Sequence, residues 1–267
     1  MLCNLHTHTT WCDGESTPEE IVLSALEKGF SSIGFSGHGN TRFDLRYCMK
    51  DEEGYKNEIK KLKEKYKKDI EIYLGTEEDM WDLKNREEYD YIIGSAHYTK
   101  HNNEYFSVDS GLDYIKRCIE VFDNDLIAMA ESYFKNFCGY ILTRKPDIVG
   151  HFDLITKWDE VEGGGFFVNN KEYTALAEKY FREAIKSECI FEINSGAMSR
   201  GVRKTPYPYE NLLHILKKEN GKIIISSDSH SAGTIDFAFD EMRALLKDIG
   251  FKKTCAISSG KFIEIDL

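Results

Sequence analysis

The chain has 267 residues, 41% hydrophobic and 13% aromatic, a composition that supports a large core and excludes a disordered or fibrous protein. Its 35 basic and 46 acidic residues give a net charge of −11, which argues against non-specific binding to nucleic acid or anionic membranes. The seven cysteines form no CxxC pair, and no apolar run approaches the length of a membrane span. We therefore expect a cytoplasmic protein with reduced thiols and with neither a membrane nor a nucleic-acid partner.

Short strands rich in Ile, Val, Phe and Tyr alternate with amphipathic helices along the chain. The predicted strands cover residues 2–6, 32–35, 70–74, 91–95, 147–150, 189–193 and 222–226. The first helix has Thr17 as its N-cap, Pro18 in its first turn and Glu20 completing a capping box, and it ends before Gly29. Further helices are predicted over residues 55–66 and near 111–124, 171–186, 208–219 and 235–249.

Seven strand-then-helix units predict an α/β fold with a parallel sheet and right-handed crossovers. Closing such a sheet into a barrel removes its exposed edges. No linker or repeat divides the chain, so we expect a single domain over residues 1–267. Residues 159–165 end in three glycines and cannot form a regular element; a surface loop is the simpler interpretation and a lid over a site the alternative.

Six of the eight histidines follow a predicted strand, and three carboxylates occupy equivalent positions. These nine residues are His6, His8, Asp13, His38, Glu77, His97, His151, Asp228 and His230. In an α/β barrel such positions converge on one rim, where active sites are built. A single histidine there is more commonly a surface or core group, but this many in one register predict a metal site. His101 and His214 fall outside the register and are expected to be structural or exposed.

The spacing of these residues suits metal coordination. One residue separates His6 from His8, so in an extended segment both imidazoles point to the same face and can reach one ion. Asp228 and His230 repeat this arrangement. Imidazoles and carboxylates without a nearby thiolate suit Zn, Mn or Fe. Nine ligands exceed the needs of one tetrahedral ion, so we expect two to three divalent ions, whose charge would attract a phosphate group.

The motifs around these residues resemble those of the PHP (polymerase and histidinol phosphatase) family over essentially the whole chain. They are His6-Thr7-His8 with Asp13, Ser36-Gly37-His38, Gly75-Thr76-Glu77, Ser95-Ala96-His97, Gly150-His151 and Ser227-Asp228-Ser229-His230. The resemblance implies a distorted (β/α)7 barrel of TIM-like type with a trinuclear metal site. Gly37 stands where relatives often carry Asp, which we interpret as tuning of the site rather than its loss.

Motif positions imply a ligand set for each ion. The first ion would take His6, His8, Glu77 and Asp228; Glu77 would bridge to a second with His97 and His151; Asp13, His38 and His230 would hold the third. The adjacent Glu78 is an alternative to Glu77, although the Gly-x-Glu spacing favours Glu77. Successive side chains of a strand point to opposite faces, so both cannot serve equally.

Residues 191–200 and the segment Thr205-Pro206-Tyr207-Pro208 are similar to those of the monofunctional phosphatases of the family. The resemblance implies hydrolysis of L-histidinol phosphate, a step of histidine biosynthesis, by a hydroxide between metals, with Glu77, Asp228 and His230 as catalytic residues. Arg200 is expected to bind the phosphate from the side opposite the metals. Weaker candidates for binding phosphate are Lys157, Arg203 and Lys204, and candidates for recognising the rest of the substrate are Trp11, Phe43 and Tyr47.

Three other functions remain open. Another PHP-type phosphoesterase acting on a different small ester or a nucleotide would use the same metals, although a nuclease would need a basic groove. A metal-dependent amidohydrolase would usually carry a carboxylated lysine after the fourth strand, where this chain has His97. A non-catalytic metal-binding module would be expected to lack ligands, and none is missing. The sequence therefore favours a metal-dependent phosphoric monoester hydrolase.

Overall fold

Seven parallel strands form the centre of the computed structural model, which describes residues Met1–Leu267. In sheet order they are β1 (Cys3–Asn4), β2 (Ser32–Phe35), β3 (Glu71–Asp79), β4 (Tyr91–Ser95), β7 (Ile148–Val149), β8 (Ile190–Asn194) and β9 (Lys222–Ser226). All neighbouring strands pair in parallel. Each lies at a predicted position, and the predicted α/β barrel of TIM-like type is confirmed.

A narrow seam between the first and last strands closes the barrel. Beyond the ends of β1 and β9, Thr7 and Ser229 form a single parallel bridge, and the His8 amide donates to the Ser229 carbonyl over 2.8 Å. Deeper in the barrel, the Asn4 side-chain amide donates to the Ser227 hydroxyl over 2.7 Å. The barrel is thus nearly closed, with few hydrogen bonds across its last gap.

Eight helices accompany the strands. They are α1 (Pro18–Glu27), α2 (Glu52–Lys65), α3 (Leu112–Val121), α4 (Leu126–Arg144), α5 (Lys171–Ile185), the single-turn α6 (Gly196–Ser199), α7 (Glu210–Lys218) and α8 (Phe239–Ile249). Helix α1 has the predicted capping box, in which the Thr17 amide donates to the Glu20 carboxylate over 2.8 Å. Gly29 follows this helix with φ of 72°, a conformation that glycine adopts without strain. No helix is long and apolar enough to span a bilayer.

The sequence does not predict three larger elements of the structure. Helix α4 follows α3 directly in the crossover between β4 and β7. The antiparallel hairpin of β5 (Tyr98–His101) and β6 (Glu104–Ser107) precedes both helices. A second hairpin, β10 (Lys253–Ser258) with β11 (Lys261–Asp266), ends the chain. The crossover after β4 is therefore longer and more elaborate than a strand-then-helix unit.

The C-terminal hairpin covers the amino-end floor of the barrel. Cys255, Ala256 and Ile257 of β10 are buried in one cluster with barrel residues such as Leu5 and Tyr91. A second and larger apolar core lies between the outside of the sheet and the helices. Because the floor is covered, the opposite rim, at the carboxyl ends of the strands, is left for a site.

Strand β3 is longer than predicted and extends through Asp79 rather than ending at Leu74. Gly75 permits this, because a Cβ there would lie 2.3 Å from the ring of Tyr91. Glu77 consequently lies within the strand, and the strand itself carries its side chain to the barrel mouth.

Candidate metal centre

The carboxyl-end rim brings all nine predicted ligands together. Their ligand atoms form four overlapping groups in which every atom lies within 4.8 Å of the others. The groups are His8, Asp13, His38 and His230; His6, Glu77 and His151; His6, His8 and Asp228; and His38, Glu77 and His97. His101 packs against Phe122 instead, and His214 is exposed on α7.

Glu77 lies at the middle of this arrangement. Its Oε2 atom is 2.8 Å from His38 Nδ1 and 3.4 Å from His6 Nε2. Its Oε1 atom is 2.9 Å from His151 Nε2 and 3.3 Å from His97 Nε2. Burial raises the pKa of Glu77, but the surrounding imidazoles outweigh it and hold that pKa well below its usual value. An ionised carboxylate with one oxygen directed to each side is suited to bridging two cations.

The adjacent Glu78 points away from the rim. Its buried carboxylate accepts hydrogen bonds from Arg144 Nε over 2.9 Å, from Arg144 Nη2 over 2.8 Å and from the Tyr140 hydroxyl over 2.7 Å. Both partners lie on or at the end of α4, outside the barrel. The alternation of side chains along β3 thus directs Glu77 into the mouth and Glu78 into the layer beneath α4, which favours Glu77 as the bridging carboxylate.

The seam contributes two imidazoles and a carboxylate. Asp228 Oδ1 lies 3.1 Å from His8 Nε2 and 3.6 Å from His6 Nε2. Burial, with the neighbouring histidines, lowers the pKa of His8 to about 3, so its ring is neutral at neutral pH. Burial raises the pKa of Asp228, but nearby positive groups, led by His6, hold it well below its usual value. A neutral imidazole and an ionised carboxylate are the forms that bind a divalent cation.

The backbone around Asp228 is adapted to this placement. Asp228 has φ of 47°, in the left-handed region that non-glycine residues rarely occupy. Gly196 at the start of α6 makes room for it, because a Cβ there would lie 2.5 Å from Asp228 Oδ2. Strained backbone of this kind is commonly retained at functional sites.

Three buried atoms at the centre make no hydrogen bond, although other polar atoms lie close to them. They are Nε2 of His6, Nε2 of His8 and Oε2 of Glu77. Unsatisfied buried polar atoms cost about 1–3 kcal/mol each and are uncommon in native proteins. All three belong to predicted ligands, and their chemistry fits bound divalent cations.

The third group is more open to solvent. Asp13 Oδ2 lies 3.5 Å from His230 Nε2 and 3.7 Å from His38 Nε2, and a third of the Asp13 side chain is exposed. His230 Nδ1 lies 3.0 Å from the Asp228 carbonyl, while its Nε2 is the ring nitrogen that faces Asp13. His8 also belongs to this group, so the structure allows it to serve either of two ions.

Two further carboxylates hold the histidines in position. Glu192 Oε1 is 2.5 Å from His6 Nδ1, and its Oε2 accepts the His151 amide over 2.9 Å. Asp79 Oδ2 accepts the His97 amide over 3.1 Å and lies 3.3 Å from His97 Nδ1. A carboxylate that accepts the Nδ1 proton turns Nε2 towards the metal and makes it a stronger ligand. Neither residue is among those predicted from the sequence; for Glu192 the available signal was a carboxylate inside the otherwise apolar strand β8.

A known protein family matches most of this chain. A protein-family model described as the PHP domain matches residues 4–196. The chain belongs to the PHP domain family.

Several known proteins are similar to this chain over most of its length. A probable histidinol-phosphatase of Schizosaccharomyces pombe is 25% identical over 282 residues, covering 97% of this chain and 90% of the relative. A histidinol-phosphatase of Bacillus subtilis is 26% identical over 270 residues, covering 88% of this chain and 96% of the relative. The crystal structure of histidinol phosphate phosphatase from Lactococcus lactis, complexed with Zn, L-histidinol and phosphate, matches with a TM-score of 0.71 at 21% identity and covers 98% of both chains. The likeness to that structure establishes a shared fold.

Arg200 reaches the centre of the PHP domain, but from an unexpected side. Its guanidinium lies 3.3 Å from Asp228 Oδ2 and 3.0 Å from His230 Nδ1. Arg200 was expected on the side opposite the metals, whereas in the structure it contacts two predicted ligands. The reason is the single turn of α6, which carries the chain back towards the loop after β9.

Arg203 is buried and only 3% exposed. Its guanidinium lies between the rings of Tyr207 and Tyr209, 4.1 and 3.9 Å from their centroids. It donates to the Thr156 hydroxyl over 2.7 Å and to the Pro206 carbonyl over 3.2 Å. With its donors engaged inside the protein, Arg203 has the geometry of a structural residue in place of the substrate contact expected from the sequence.

A cavity of about 340 Å³ adjoins the centre and includes His38 and His97 in its wall. Lys157 lines this cavity, with Nζ 3.3 Å from Asp109 Oδ2. Tyr47 lines it too, and its ring meets that of His38 edge-on at 4.7 Å. Lys157 and Tyr47 therefore lie in the same cavity wall as two candidate metal ligands, where a small substrate could contact them.

The other aromatic candidates lie elsewhere. Phe43 stacks on Tyr105 at 4.0 Å in a neighbouring outer cavity of about 760 Å³. Trp11 donates to the Glu58 carboxylate on α2 over 2.7 Å, outside both cavities.

The residues that follow the glycine-rich segment 159–165 are hydrogen-bonded to its first residue, Asp159. The Asp159 carboxylate accepts the amides of Phe167 over 3.1 Å and Val168 over 2.7 Å. Burial raises the pKa of Asp159 to about 6. This anchoring favours the surface-loop interpretation over a lid.

Proposed function

We propose that the protein is a metal-dependent histidinol-phosphatase that hydrolyses L-histidinol phosphate to L-histidinol and phosphate. The observation that carries the proposal is Glu77, an ionised carboxylate 2.8 to 3.6 Å from five imidazoles at the barrel mouth. Such a centre is suited to phosphate monoester hydrolysis, in which charge neutralisation and positioning supply most of the catalysis. The histidinol-phosphatases that match nearly the whole chain support the choice of substrate.

We infer that two to three divalent ions, Zn, Mn or Fe, occupy this centre. The proposed ligands are His6, His8, Glu77 and Asp228 for the first, Glu77, His97 and His151 for the second, and Asp13, His38 and His230 for the third. Bound there, the ions would lower the pKa of a shared water and neutralise the phosphate charge. The zinc in the Lactococcus lactis relative supports this class of ion.

The protein's own residues then supply orientation. Glu192 and Asp79 fix the rings of His6 and His97 through their Nδ1 atoms. Arg200, whose side chain is one-third exposed, can donate to a phosphate oxygen while it stays close to Asp228. Lys157 faces the 340 Å³ cavity and can donate to another phosphate oxygen.

The cavity also bears on the class of substrate. Its volume of about 340 Å³ suits a small molecule, and the net charge of −11 disfavours a polynucleotide. We therefore propose a small phosphate monoester as substrate, with no nucleic-acid partner. A different small phosphate ester is the alternative within the same chemistry.

The test is phosphate release by metal-loaded protein from L-histidinol phosphate, simple sugar phosphates and nucleotides. We expect the highest kcat/KM for L-histidinol phosphate, with hydrolysis lost on chelation and restored by adding back the metal. Turnover of sugar phosphates or nucleotides with L-histidinol phosphate left intact would refute the assignment and favour another phosphoesterase.

A further inference from the structure

Asp109 is an acidic group of the 340 Å³ cavity that the metal centre does not use. It lies just after β6 and lines the cavity together with Lys157. Its Oδ1 atom accepts the Ser107 hydroxyl over 3.0 Å, and its Oδ2 atom lies 3.3 Å from Lys157 Nζ. The two charged side chains are 22% and 14% exposed, so both charges are largely removed from water.

The other carboxylates near the cavity are already committed. Asp13 belongs to the proposed third ligand group. Asp44, in the outer cavity, pairs with Arg46 through Nε at 2.8 Å and Nη2 at 2.5 Å, and accepts the Tyr98 hydroxyl over 2.8 Å. Asp109 has one cationic partner, Lys157, held by a single contact. It is therefore the carboxylate best placed to accept a cation from a bound molecule.

We propose that Asp109 binds the ammonium group of the substrate and thereby selects phosphate monoesters that carry an amine. The inference rests on the proposed function, since L-histidinol phosphate carries its ammonium on the carbon next to the ester methylene. When this substrate enters, its phosphate pairs with the Lys157 ammonium and its own ammonium pairs with the Asp109 carboxylate. One ion pair inside the cavity is exchanged for two, and each buried charge keeps an opposite partner.

The same exchange disfavours esters without an amine. Their phosphate would draw Lys157 away and leave Asp109 as an unpaired, largely desolvated carboxylate beside another anion. An uncompensated buried charge is strongly unfavourable, so discrimination arises from repulsion of the wrong ester as well as attraction of the right one. Asp109 is thus a specificity-determining residue, while the metal centre acts on the phosphate common to both esters.

The experiment compares wild-type protein with Asp109→Asn on two esters, L-histidinol phosphate and its analogue that lacks only the amine. We expect kcat/KM for L-histidinol phosphate to fall by at least about 30-fold, the lower end of what is lost when one partner of a desolvated charge pair is truncated. We expect kcat/KM for the amine-free ester to stay the same or rise. The ratio of the two constants is the decisive quantity, because it does not depend on how much of the variant is folded.

A second measurement uses the products. In Asp109→Asn, inhibition by L-histidinol should weaken by a similar factor, while inhibition by inorganic phosphate should not weaken. Asp113→Asn, the same substitution on the exposed first turn of α3, is the matched control. It should change neither the ratio of kcat/KM for the two esters nor the inhibition by L-histidinol relative to phosphate.

Equal loss on both esters would overturn the inference, because Asp109 would then act only by positioning Lys157. A wild-type protein that hydrolyses both esters equally well would overturn it too. Failure of the wild type to hydrolyse either ester would instead overturn the proposed function, and the inference with it.

Discussion

Replacing Glu77 or Glu78 by glutamine makes the same chemical change at adjacent positions on opposite faces of β3. Glu77→Gln removes a charge shared by two candidate ligand groups and turns an amide donor towards the surrounding imidazoles. Loss of a group that merely orients a ligand typically costs about 10–100-fold in metal affinity or activity. Loss of the bridging carboxylate should exceed this, so we expect more than about 100-fold lower kcat/KM and at least one ion fewer per chain.

Glu78→Gln should act on stability instead. It leaves the Arg144 guanidinium, 20% exposed, without its ionised partner and with one hydrogen bond to residue 78 in place of two. We expect the free energy of unfolding to fall by about 1–3 kcal/mol. For a chain of this size that lowers Tm by roughly 2–10 °C. Metal content and kcat/KM, measured well below Tm, should stay at wild-type values.

Elemental analysis, phosphate release and calorimetry on both variants give the comparison. If Glu77→Gln kept its metals and turnover while Glu78→Gln lost them, the orientation of β3 and the bridging role of Glu77 would both be refuted.

Four further outcomes follow from the same contacts. Glu192→Gln should weaken metal affinity about 10–100-fold, measured by competition with a chelator, because His6 Nδ1 loses its charged acceptor. Arg200→Ala should lower kcat/KM by about 10–10³-fold, with partial recovery in Arg200→Lys. Metal affinity should also fall, because Arg200 contacts Asp228. Unchanged metal affinity would contradict this placement of Arg200. Arg203→Ala should lower the free energy of unfolding by about 2–4 kcal/mol in denaturant titrations, because buried hydrogen bonds and ring contacts are lost. KM should stay unchanged. A raised KM would instead indicate that Arg203 contacts the substrate. Burial lowers the pKa of metal-free His6, but neighbouring carboxylates led by Glu192 outweigh it and raise that pKa well above its ordinary value. Calorimetry should therefore show proton release on zinc binding, and zinc affinity should fall as pH decreases. A zinc affinity that is independent of pH would contradict this.

The strands could be predicted from the sequence more reliably than the crossover after β4. Strand β4 is a buried apolar run bounded by turns, and its limits agree with the prediction. In α4 the buried face carries Tyr133, Phe134 and Phe137, and Gly139 follows, a composition that by itself favours strands or breaks helices. Packing on the barrel overrides these local preferences. The β5–β6 hairpin had a clearer signal, since its turn residues Asn102 and Asn103 both adopt positive φ, as asparagine readily does.

The convergence of the nine predicted ligands could be expected because the carboxyl ends of parallel strands meet at one rim. Loop residues are harder to place, since no periodic pattern dictates the path of the chain there. Arg200 and Arg203 lie close together in the sequence, yet one reaches the rim and the other is enclosed by aromatic rings. Asp109 lies between a hairpin and a helix and belongs to no motif, so only the structure brings it to the cavity.

At the seam, a bound metal would have a second role, that of joining the first and last strands of the barrel. Asn4 and Ser227 are 223 positions apart, and little besides their side chains and the bridge above them joins β1 to β9. His6 and His8 stand on one side of this gap and Asp228 on the other, so an ion held by all three would act as a clasp between the beginning and the end of the barrel. Such a clasp restricts a very long loop of the unfolded chain, and ligands that bind only the folded state shift the folding equilibrium towards it. Metal supply would then govern how long the folded enzyme survives as well as how fast it works.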